Sequence, residues 1–296
     1  MAESYYLTTI QHGIEVATTL TKSWFRGQPV ADRPLQPRMF REEYERRKRT
    51  LFAGSRPDLE LETIDDFRRY APTLTEMALP ARDDRLGWFC LMQHHGCPTR
   101  LLDWTENALV ALYFATATVS EDKDEDGELW AMLPWELNRV ADGEQGMPLP
   151  ESRHLRYLLE QPFWNGTDEA LAESLKLPSG PVRCPMAVTP SLFFPRVLAQ
   201  AGVFTIHPTP RESTQSIASA LPDPKHLVRY VVPKQSKAIL RSQLDDLGFN
   251  DMRLFASLEA LSKWIVYGHR IVAYGAPPPP PCSGPVPAPA KEGAGS

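Results

Sequence analysis

The stretch QHHGCPTRLLDWTENALVALYFA, from Gln93 to Ala115, joins a polar half to an apolar half. Gly96 and Pro98 interrupt any helix that runs through the two histidines, because both residue types break helices. From Ala108 to Ala115 the residues are almost all apolar, and the small alanines among them allow close packing. The stretch therefore predicts a buried helix, central to the core, with polar side chains gathered before its amino-terminal end.

Asp103 lies three residues before Glu106, which is the spacing of a capping box. We therefore predict that Asp103 caps the buried helix by accepting hydrogen bonds from its first backbone amides. The amino terminus of a helix also attracts anions, because its N–H groups are unpaired and its dipole is positive there. Arg100 would add a guanidinium to that end, Thr99 a hydroxyl, and Trp104 a flat face for a ring. Together these groups would suit a nucleotide.

Each of these residues also has a purely structural interpretation. Asp103 would only cap the helix, and Arg100 would pair with Asp103, since a buried arginine needs a carboxylate. Trp104 would belong to the core, and His94 would be a hydrogen-bonded structural histidine. The density of polar groups before one apolar helix, rather than any single residue, is what indicates a ligand site.

The composition is that of an ordinary globular protein, with 42% hydrophobic and 23% charged residues. A net charge of -5 disfavours a general attraction to nucleic acid. Arginine outnumbers lysine, which suits phosphate binding, although a GC-rich genome would have the same effect and would also explain the 29 prolines. The sequence has no Walker loop, Rossmann fingerprint, nucleophile elbow or HExxH motif, so those reaction classes are disfavoured.

The four cysteines form no CxxC pair, which indicates reduced thiols rather than a disulfide framework. His94, His95 and Cys97 lack a fourth ligand nearby, and we expect no metal. The first residues do not resemble a signal peptide, and no apolar run approaches the ~18 residues of a membrane span. These observations predict a cytoplasmic protein with no membrane partner.

Helical patterns come first along the chain and strand patterns come later, which predicts a single mixed α+β domain with a central helix and a small sheet. Strands are predicted at 129–135, 202–208 and 227–233. Helices are predicted within 5–20 and over 36–54, 63–74, 84–95, 154–161, 168–175, 234–248 and 257–268. Thr63 is the predicted cap of its helix, and the acidic run 121–128 is predicted to be a solvated turn.

The predicted domain organisation has three parts. Residues 1–19 form an amino-terminal extension, and residues 20–275 form the folded domain. Residues 276–296 are rich in proline, alanine and glycine, and we predict an extended, disordered tail because such a composition buries almost nothing.

Several motifs resemble those of the FRG domain family, which takes its name from a Phe/Tyr-Arg-Gly motif. That motif is matched by Phe25, Arg26 and Gly27, within WFRGQ. The element PRMFR at 37–41, the central stretch at 93–115, and the pattern RxxxQxGxFT from Arg196 to Thr205 also resemble the family. The resemblance covers residues 20–268 and implies occurrence in bacterial or phage-related proteins, without naming a reaction.

Aromatic-Arg-Gly is also similar to the first motif of mono-ADP-ribosyltransferases, in which the arginine helps to hold the phosphates of NAD. That resemblance implies a split sheet, NAD as cofactor, Arg26 as phosphate ligand and Gln200 in a late catalytic position. Gln200-Ala201-Gly202 departs from the Gln-x-Glu of those enzymes, so Asp103 or His94 would have to manage charge or protons. The candidate site is then Asp103, His94 and Gln200 as catalytic residues, with Arg26, Gly27, Thr99, Arg100, Trp104 and Arg196 as ligand-binding residues.

Three functions stay open on the sequence. The first is an NAD-dependent ADP-ribosyltransferase or NAD glycohydrolase in bacterial defence or toxicity, acting on a protein or RNA target. The second is a non-catalytic module for a nucleotide or nucleic acid, in which the basic run within 36–54 would contact phosphates; the alternative for that run is a solvated helix face with internal ion pairs. The third is a scaffold in which the central motif only holds the fold together.

Overall fold

A computed structural model describes residues 5–41, 56–76, 78–117, 125–143, 146–149, 151–190 and 195–265, with the side chains of 56–59 and 263 left out. The described strands form one open, seven-stranded mixed sheet in the order β1-β7-β4-β2-β3-β6-β5. The strands are β1 (Tyr5–Tyr6), β2 (Trp24–Gln28), β3 (Leu101–Thr105), β4 (Gly127–Met132), β5 (Met186–Val188), β6 (Gly202–Ile206) and β7 (Leu227–Val232). The predicted α+β class is confirmed.

Helices cover the sheet and its ends. They are α1 (Ile10–Thr19), α2 (Arg56–Leu74), α3 (Arg85–His94), α4 (Ala108–Ala115), α5 (Pro134–Asp142), α6 (Arg153–Glu160), α7 (Asp168–Ser174), α8 (Pro195–Ala199), α9 (Ile217–Ala220), α10 (Lys234–Asp246), α11 (Asp251–Phe255) and α12 (Leu258–Lys263). Short 3₁₀ helices occupy Arg38–Phe40 and Gln161–Phe163. None of the described helices is long and apolar enough to cross a membrane.

The sheet is weakly joined at its middle. β2 pairs with β4 along its whole length, from Trp24 opposite Met132 to Gln28 opposite Glu128. On its other side, β2 meets β3 through the single antiparallel pair Phe25 and Thr105. The two strands therefore diverge beyond that pair and leave room for a cleft between two halves of the sheet.

The central helix α4 packs with its backbone directly on the first half of the sheet. A Cβ atom built on Gly27 would overlap the carbonyl oxygen of Ala111, and one on Gly127 would overlap that of Ala115. The helix is buried among residues of β2, β4 and β7, with α1 and α10 packed around it. The predicted burial and central position of α4 are confirmed, and glycine is required where the strands meet the helix.

A second apolar core lies on the other half of the sheet. It joins β3, β5 and β6 to α3, α6 and α7 through residues such as Leu101, Phe89, Leu158 and Leu171. A third cluster connects the two halves through Trp24, Leu102, Trp104 and Met132, among others. The cleft over the divergence of β2 and β3 therefore has a rigid, packed support on both sides.

The predicted cap of the central helix is wrong. Asp103 lies inside β3, where residues Leu101–Thr105 pair with β6, and the chain turns only after Thr105. Asn107 is the cap: its Oδ1 accepts from the amide nitrogens of Leu109 at 2.9 Å and Val110 at 3.4 Å. Both residues are good caps by type, and the pairing of β3 with β6 decides between them.

Several other boundaries match or correct the sequence predictions. α3, α7 and α10 lie within the helices predicted at 84–95, 168–175 and 234–248, and α6 begins one residue before the helix predicted at 154–161. Strands β6 and β7 lie where predicted. Thr63 lies inside α2 and does not begin a helix. The strand predicted at 129–135 ends at Met132, because Pro134 opens α5.

Glu128 also departs from its prediction. The acidic run 121–128 predicts a solvated turn, but Glu128 lies in β4 and its side chain is completely buried. There it accepts a hydrogen bond from Gln28 at 2.6 Å and pairs with Arg229 at 2.8 Å. Within the predicted helix 36–54, Arg38–Phe40 form a 3₁₀ turn and Arg41 is extended. Residues 42–54, like the predicted tail at 276–296, lie outside the described residues.

We expect Gly27→Ala to destabilise the protein by more than about 2 kcal/mol, because the new methyl group would meet helix backbone that cannot rotate away. Gly146→Ala is a matched control, since a Cβ there has no neighbour within 4 Å. Urea unfolding followed by circular dichroism measures both. Equal stability of the two variants would contradict the direct contact between α4 and β2.

Candidate functional site

A pocket of about 340 Å³ opens where β2 and β3 diverge. Its walls come from β2, the 3₁₀ turn at 38–40, the end of α3, β3, α4 and α8. Its polar lining consists of Arg26, Arg38, Arg41, Gln93, Asp103, Thr105, Arg196 and Gln200. Its apolar lining includes Phe25, Leu101, Leu102, Trp104, Val110 and Phe114. The geometry thus brings together side chains from segments more than 170 residues apart in the chain (26 to 200).

Arginine dominates the charge of this pocket. Four guanidinium groups (Arg26, Arg38, Arg41 and Arg196) line it, and Asp103 supplies the carboxylate among the described lining residues. Each guanidinium offers a planar set of donors that matches phosphate or carboxylate oxygens. The pocket is therefore electropositive and suited to an anion of more than one charge.

Arg26 lies at the bottom of the cleft, with 13% of its side chain exposed. Its NH1 group donates to the main-chain carbonyl of Asp103 at 2.6 Å, and its Nε donates to Oε1 of Gln28 at 3.4 Å. Burial lowers the pKa of Arg26 to about 10, the Asp103 carboxylate opposes that change, and Arg41 adds to it. The guanidinium therefore stays protonated at neutral pH but is poorly hydrated, which strengthens its attraction for an anion.

Arg38 and Arg41 flank the 3₁₀ turn and face the same pocket. NH1 of Arg38 donates to the carbonyl of Gly96 at 3.2 Å, and Nε of Arg41 donates to the carbonyl of Gln36 at 3.1 Å. In the sequence, both residues belong to the basic run within the predicted helix 36–54, and they are not among the predicted site residues. The PRMFR element was the signal that would have found them.

Arg196 and Gln200 reach the pocket from α8 and the turn that follows it. The guanidinium of Arg196 lies 4.8 Å from the centre of the Phe255 ring. Nε2 of Gln200 donates to the main-chain carbonyl of Leu254 at 3.0 Å. The main-chain carbonyl of Gln200 accepts from the hydroxyl of Thr105 at 2.5 Å. Arg26, Asp103, Arg196 and Gln200 thus line the same pocket.

Asp103 presents its carboxylate at the mouth of the pocket, with 59% of the side chain exposed. Its Oδ2 accepts from Nε2 of Gln93 at 2.9 Å, and it lies 4.0 Å from NH1 of Arg26. Oε1 of Gln93 accepts from the hydroxyl of Thr99 at 2.7 Å. Gln93 was not among the predicted site residues, because an amide before a helix break carries no signal of its own.

Arg100 lies in the core instead of the pocket, and its side chain is fully buried. Its Nε and NH2 groups donate to the two carboxylate oxygens of Glu60 at 2.8 and 2.6 Å. NH1 donates to the carbonyl of Leu158 at 3.0 Å. The prediction that Arg100 adds charge at the end of α4, or pairs with Asp103, is wrong, because Glu60 of α2 provides the carboxylate.

The other predicted residues lie around the pocket in different ways. Gly27 lines it, and so does Trp104, although Trp104 is 97% buried and its indole N–H donates to Thr205 at 3.1 Å. Thr99 is buried and supports Gln93 from behind. His94 ends α3 without lining the pocket; burial lowers its pKa, as do His95 and Arg196 nearby. Within the described ranges, no cluster of three or more potential metal ligands occurs.

A buried hydrogen-bonded chain lies beneath β3. The indole of Trp104 donates to Oγ1 of Thr205, which is 3.0 Å from Nε2 of His207. Thr205 thereby links the indole of Trp104 to the imidazole ring of His207. Burial, together with the charges of Arg26 and Arg100, lowers the pKa of His207 to about 3.

We expect His207 to reduce stability in acid. Its pKa in the folded protein, about 3, is below the unfolded value of 6.5, so the unfolded chain takes up the proton first as the pH falls. Between pH 6.5 and 4 the wild type should lose on the order of 2 kcal/mol more than His207→Gln. Urea unfolding at several pH values measures this, with His12→Gln, on the exposed side of α1, as control. A parallel loss in wild type and His207→Gln would contradict the buried neutral state.

Arg100→Gln should destabilise the fold by about 3–5 kcal/mol, because it leaves the buried carboxylate of Glu60 unpaired. The double variant Arg100→Met/Glu60→Leu should recover much of that loss, since both charges are removed. Thermal and urea unfolding distinguish the variants. An Arg100→Gln protein of normal stability would show that the pair does not hold α2 to β3.

Comparisons with known proteins address the family. Neither the curated proteins nor the solved structures contain a significant match to the chain. Residues 21–124 match the family model of the FRG domain, a span that includes β2, the 3₁₀ turn, α2, α3, β3 and α4. The match starts one residue after the predicted boundary at 20, whereas the predicted end at 275 stays a prediction. The resemblance to the FRG domain family is thereby confirmed for residues 21–124, whereas the motif from Arg196 to Thr205 lies outside the match.

Proposed function

We propose that the FRG domain binds a nucleotide in the arginine-lined pocket, and that the nucleotide is NAD, used for ADP-ribosyl transfer or for hydrolysis. The observation that carries the proposal is the presence of four arginines around one small cleft (Arg26, Arg38, Arg41 and Arg196). Structural arginines normally have a carboxylate each, as Arg100 has in Glu60. In the pocket, Asp103 is the carboxylate among the described lining residues, and it lies 4.0 Å from Arg26, so an anionic ligand would find several guanidinium donors around one cleft.

Phosphate is the anion that fits this arrangement best. The four guanidinium groups come from β2, from both ends of the 3₁₀ turn and from α8, so three separate elements supply donors to the pocket. A pyrophosphate presents oxygens in several directions and would accept from all of these elements. The low exposure of Arg26 adds to the strength of such contacts.

The remaining walls suit a nucleoside. Phe114 is half-buried and gives the pocket an apolar face on which a base or a nicotinamide ring would pack, whereas the lining residues Phe25 and Val110 are buried. A volume of about 340 Å³ is within the range of small-molecule sites and admits a compact ligand. These dimensions favour a free nucleotide over a nucleic-acid strand.

The reaction requires a group that offsets positive charge on the sugar. As the bond between C1′ and the nicotinamide nitrogen breaks, that nitrogen keeps the electron pair and the ribose becomes oxocarbenium-like. An oxygen of water or of a target side chain then bonds to C1′ and gives up its proton. Asp103 is the lining carboxylate that would stabilise the cation and take the proton, while Gln200 would hydrogen-bond to the ligand from the same wall.

A non-catalytic nucleotide-binding module is the second candidate. It is favoured by Gln200, a neutral amide where the related enzymes have Gln-x-Glu, whose Nε2 is already bound to the Leu254 carbonyl. Neither the enzyme nor the binding module would use every predicted site residue, because the pocket lining does not include Arg100, Thr99 or His94. By the family resemblance, a protein or RNA acceptor and a role in bacterial or phage defence complete the proposed function.

Arg26→Gln should weaken NAD and ADP binding by about 10- to 100-fold, since a charge-assisted contact to phosphate is lost. Isothermal titration calorimetry measures the affinity, and nicotinamide release measures the reaction. Arg156→Gln is the matched control, because Arg156 lies on α6 with 64% of its side chain exposed. Unfolding of each variant tests the fold.

Two results would count against the proposal. A wild-type protein that binds neither NAD nor ADP would remove it entirely. Binding without nicotinamide release, and without labelling of any protein or RNA, would leave the non-catalytic module.

A further inference from the structure

We infer that Asp103 recognises the sugar of the bound nucleotide by accepting hydrogen bonds from its ribose hydroxyls, and that Gln93 is the residue that positions Asp103 for this. The ligand class would then be a ribonucleotide rather than a deoxyribonucleotide. The inference rests on the proposed nucleotide binding and goes beyond it, because it assigns the specificity of the site to a defined chain of hydrogen bonds.

The hydrogen bonds that lead to Asp103 form a series in which each donor and acceptor is defined. The amide nitrogen of Leu101 donates to Oγ1 of Thr99 at 3.0 Å, so the Thr99 hydroxyl has its proton available for another acceptor. It donates to Oε1 of Gln93 at 2.7 Å, and this fixes which end of the Gln93 amide is oxygen. Nε2 of Gln93 consequently points at Asp103 and donates to Oδ2 at 2.9 Å. Asp103 is thus held as an acceptor and cannot turn away without breaking the chain.

The contacts of Asp103 leave one carboxylate oxygen for a ligand. The Gln93 amide and the approach of Arg26 at 4.0 Å both involve Oδ2. Among the side chains that the structure describes, none donates to Oδ1 of Asp103 at hydrogen-bond distance. Arg26 makes its short contact with the main-chain carbonyl instead of the carboxylate. The carboxylate is therefore not used up as the counter-ion of Arg26.

The Asp103 carboxylate is not suited to bind phosphate, because the two groups are both negatively charged and repel each other. It must face a part of the ligand that donates hydrogen bonds or carries positive charge. The 2′- and 3′-hydroxyls of ribose are paired donors next to a phosphate-bearing carbon, and a carboxylate is a suitable acceptor for such a diol. The four arginines would thus bind the phosphates of a ribonucleotide, and Asp103 would bind its ribose hydroxyls.

The test is calorimetric binding of ADP and of 2′-deoxy-ADP to the full chain. ADP should bind at least 10-fold more tightly to the wild type, because the deoxy analogue leaves an oriented acceptor without its donor. Asp103→Asn should still bind both ligands but with less than about 3-fold discrimination. Neither ligand carries a cationic ring, so attraction of Asp103 to nicotinamide would not produce this pattern.

Positioning by Gln93 predicts a graded series. Gln93→Leu should reduce the discrimination between ADP and 2′-deoxy-ADP while Asp103 is still present, and Asp246→Asn, an exposed carboxylate on α10, should leave it unchanged. Melting temperatures check that each variant is folded. A Gln93→Leu protein with full discrimination would overturn the positioning role.

The outcomes separate this inference from the proposed function. Equal affinity of the wild type for ADP and 2′-deoxy-ADP overturns the inference and leaves nucleotide binding standing. No binding of ADP, 2′-deoxy-ADP or NAD overturns the proposed function and the inference with it. Loss of all binding in a folded Asp103→Asn variant also overturns the inference, since Asp103 would then act by holding Arg26.

Discussion

The close contact between the backbone of α4 and the strands β2 and β4 is the constraint on which the rest of the structure depends. Gly27 and Gly127 permit it, because neither residue carries a Cβ that would collide with Ala111 or Ala115. Residues next to Gly27 are consequently fixed relative to the helix, and Arg26 is one of them. The three residues of the Phe-Arg-Gly motif therefore have different positions. Phe25 packs in the core, Gly27 contacts the backbone of α4, and Arg26 lines the pocket.

Buried charge completes the scaffold on both sides of that contact. Arg100 and Glu60 tie β3 to α2, and Glu128 connects β4 to Gln28 of β2 and Arg229 of β7. In each case the buried carboxylate has its hydrogen bonds satisfied, as burial demands. Arg26 differs from these buried groups, because its short hydrogen bond goes to the main-chain carbonyl of Asp103 and the Asp103 carboxylate lies 4.0 Å away.

The sequence predicts the class of fold and most of the long elements, because amphipathic helices and β-branched strands leave a periodic pattern. It does not tell whether an arginine is paired. Arg26 and Arg100 both lie in motifs that resemble the FRG family. Arg100 is buried in an ion pair with Glu60, which lies 40 residues upstream and which no motif connects to it. Asp103 and Asn107 are likewise equal candidates for a cap, and pairing between β3 and β6 excludes the first. Arg38 and Arg41 line the pocket from the 3₁₀ turn, and the PRMFR element that contains them is a local signal that the helical interpretation of 36–54 overrides.

The single pair of residues that joins β2 to β3 divides the molecule along a seam, and the cations are distributed on both sides of it. Arg26 belongs to one half of the sheet, whereas Arg196 is attached to the other through β6. Without a ligand, the mutual repulsion of these groups acts to open the seam. An anion bound between them, as proposed above, would attract both guanidinium groups, so its binding would be thermodynamically linked to the cohesion of the sheet.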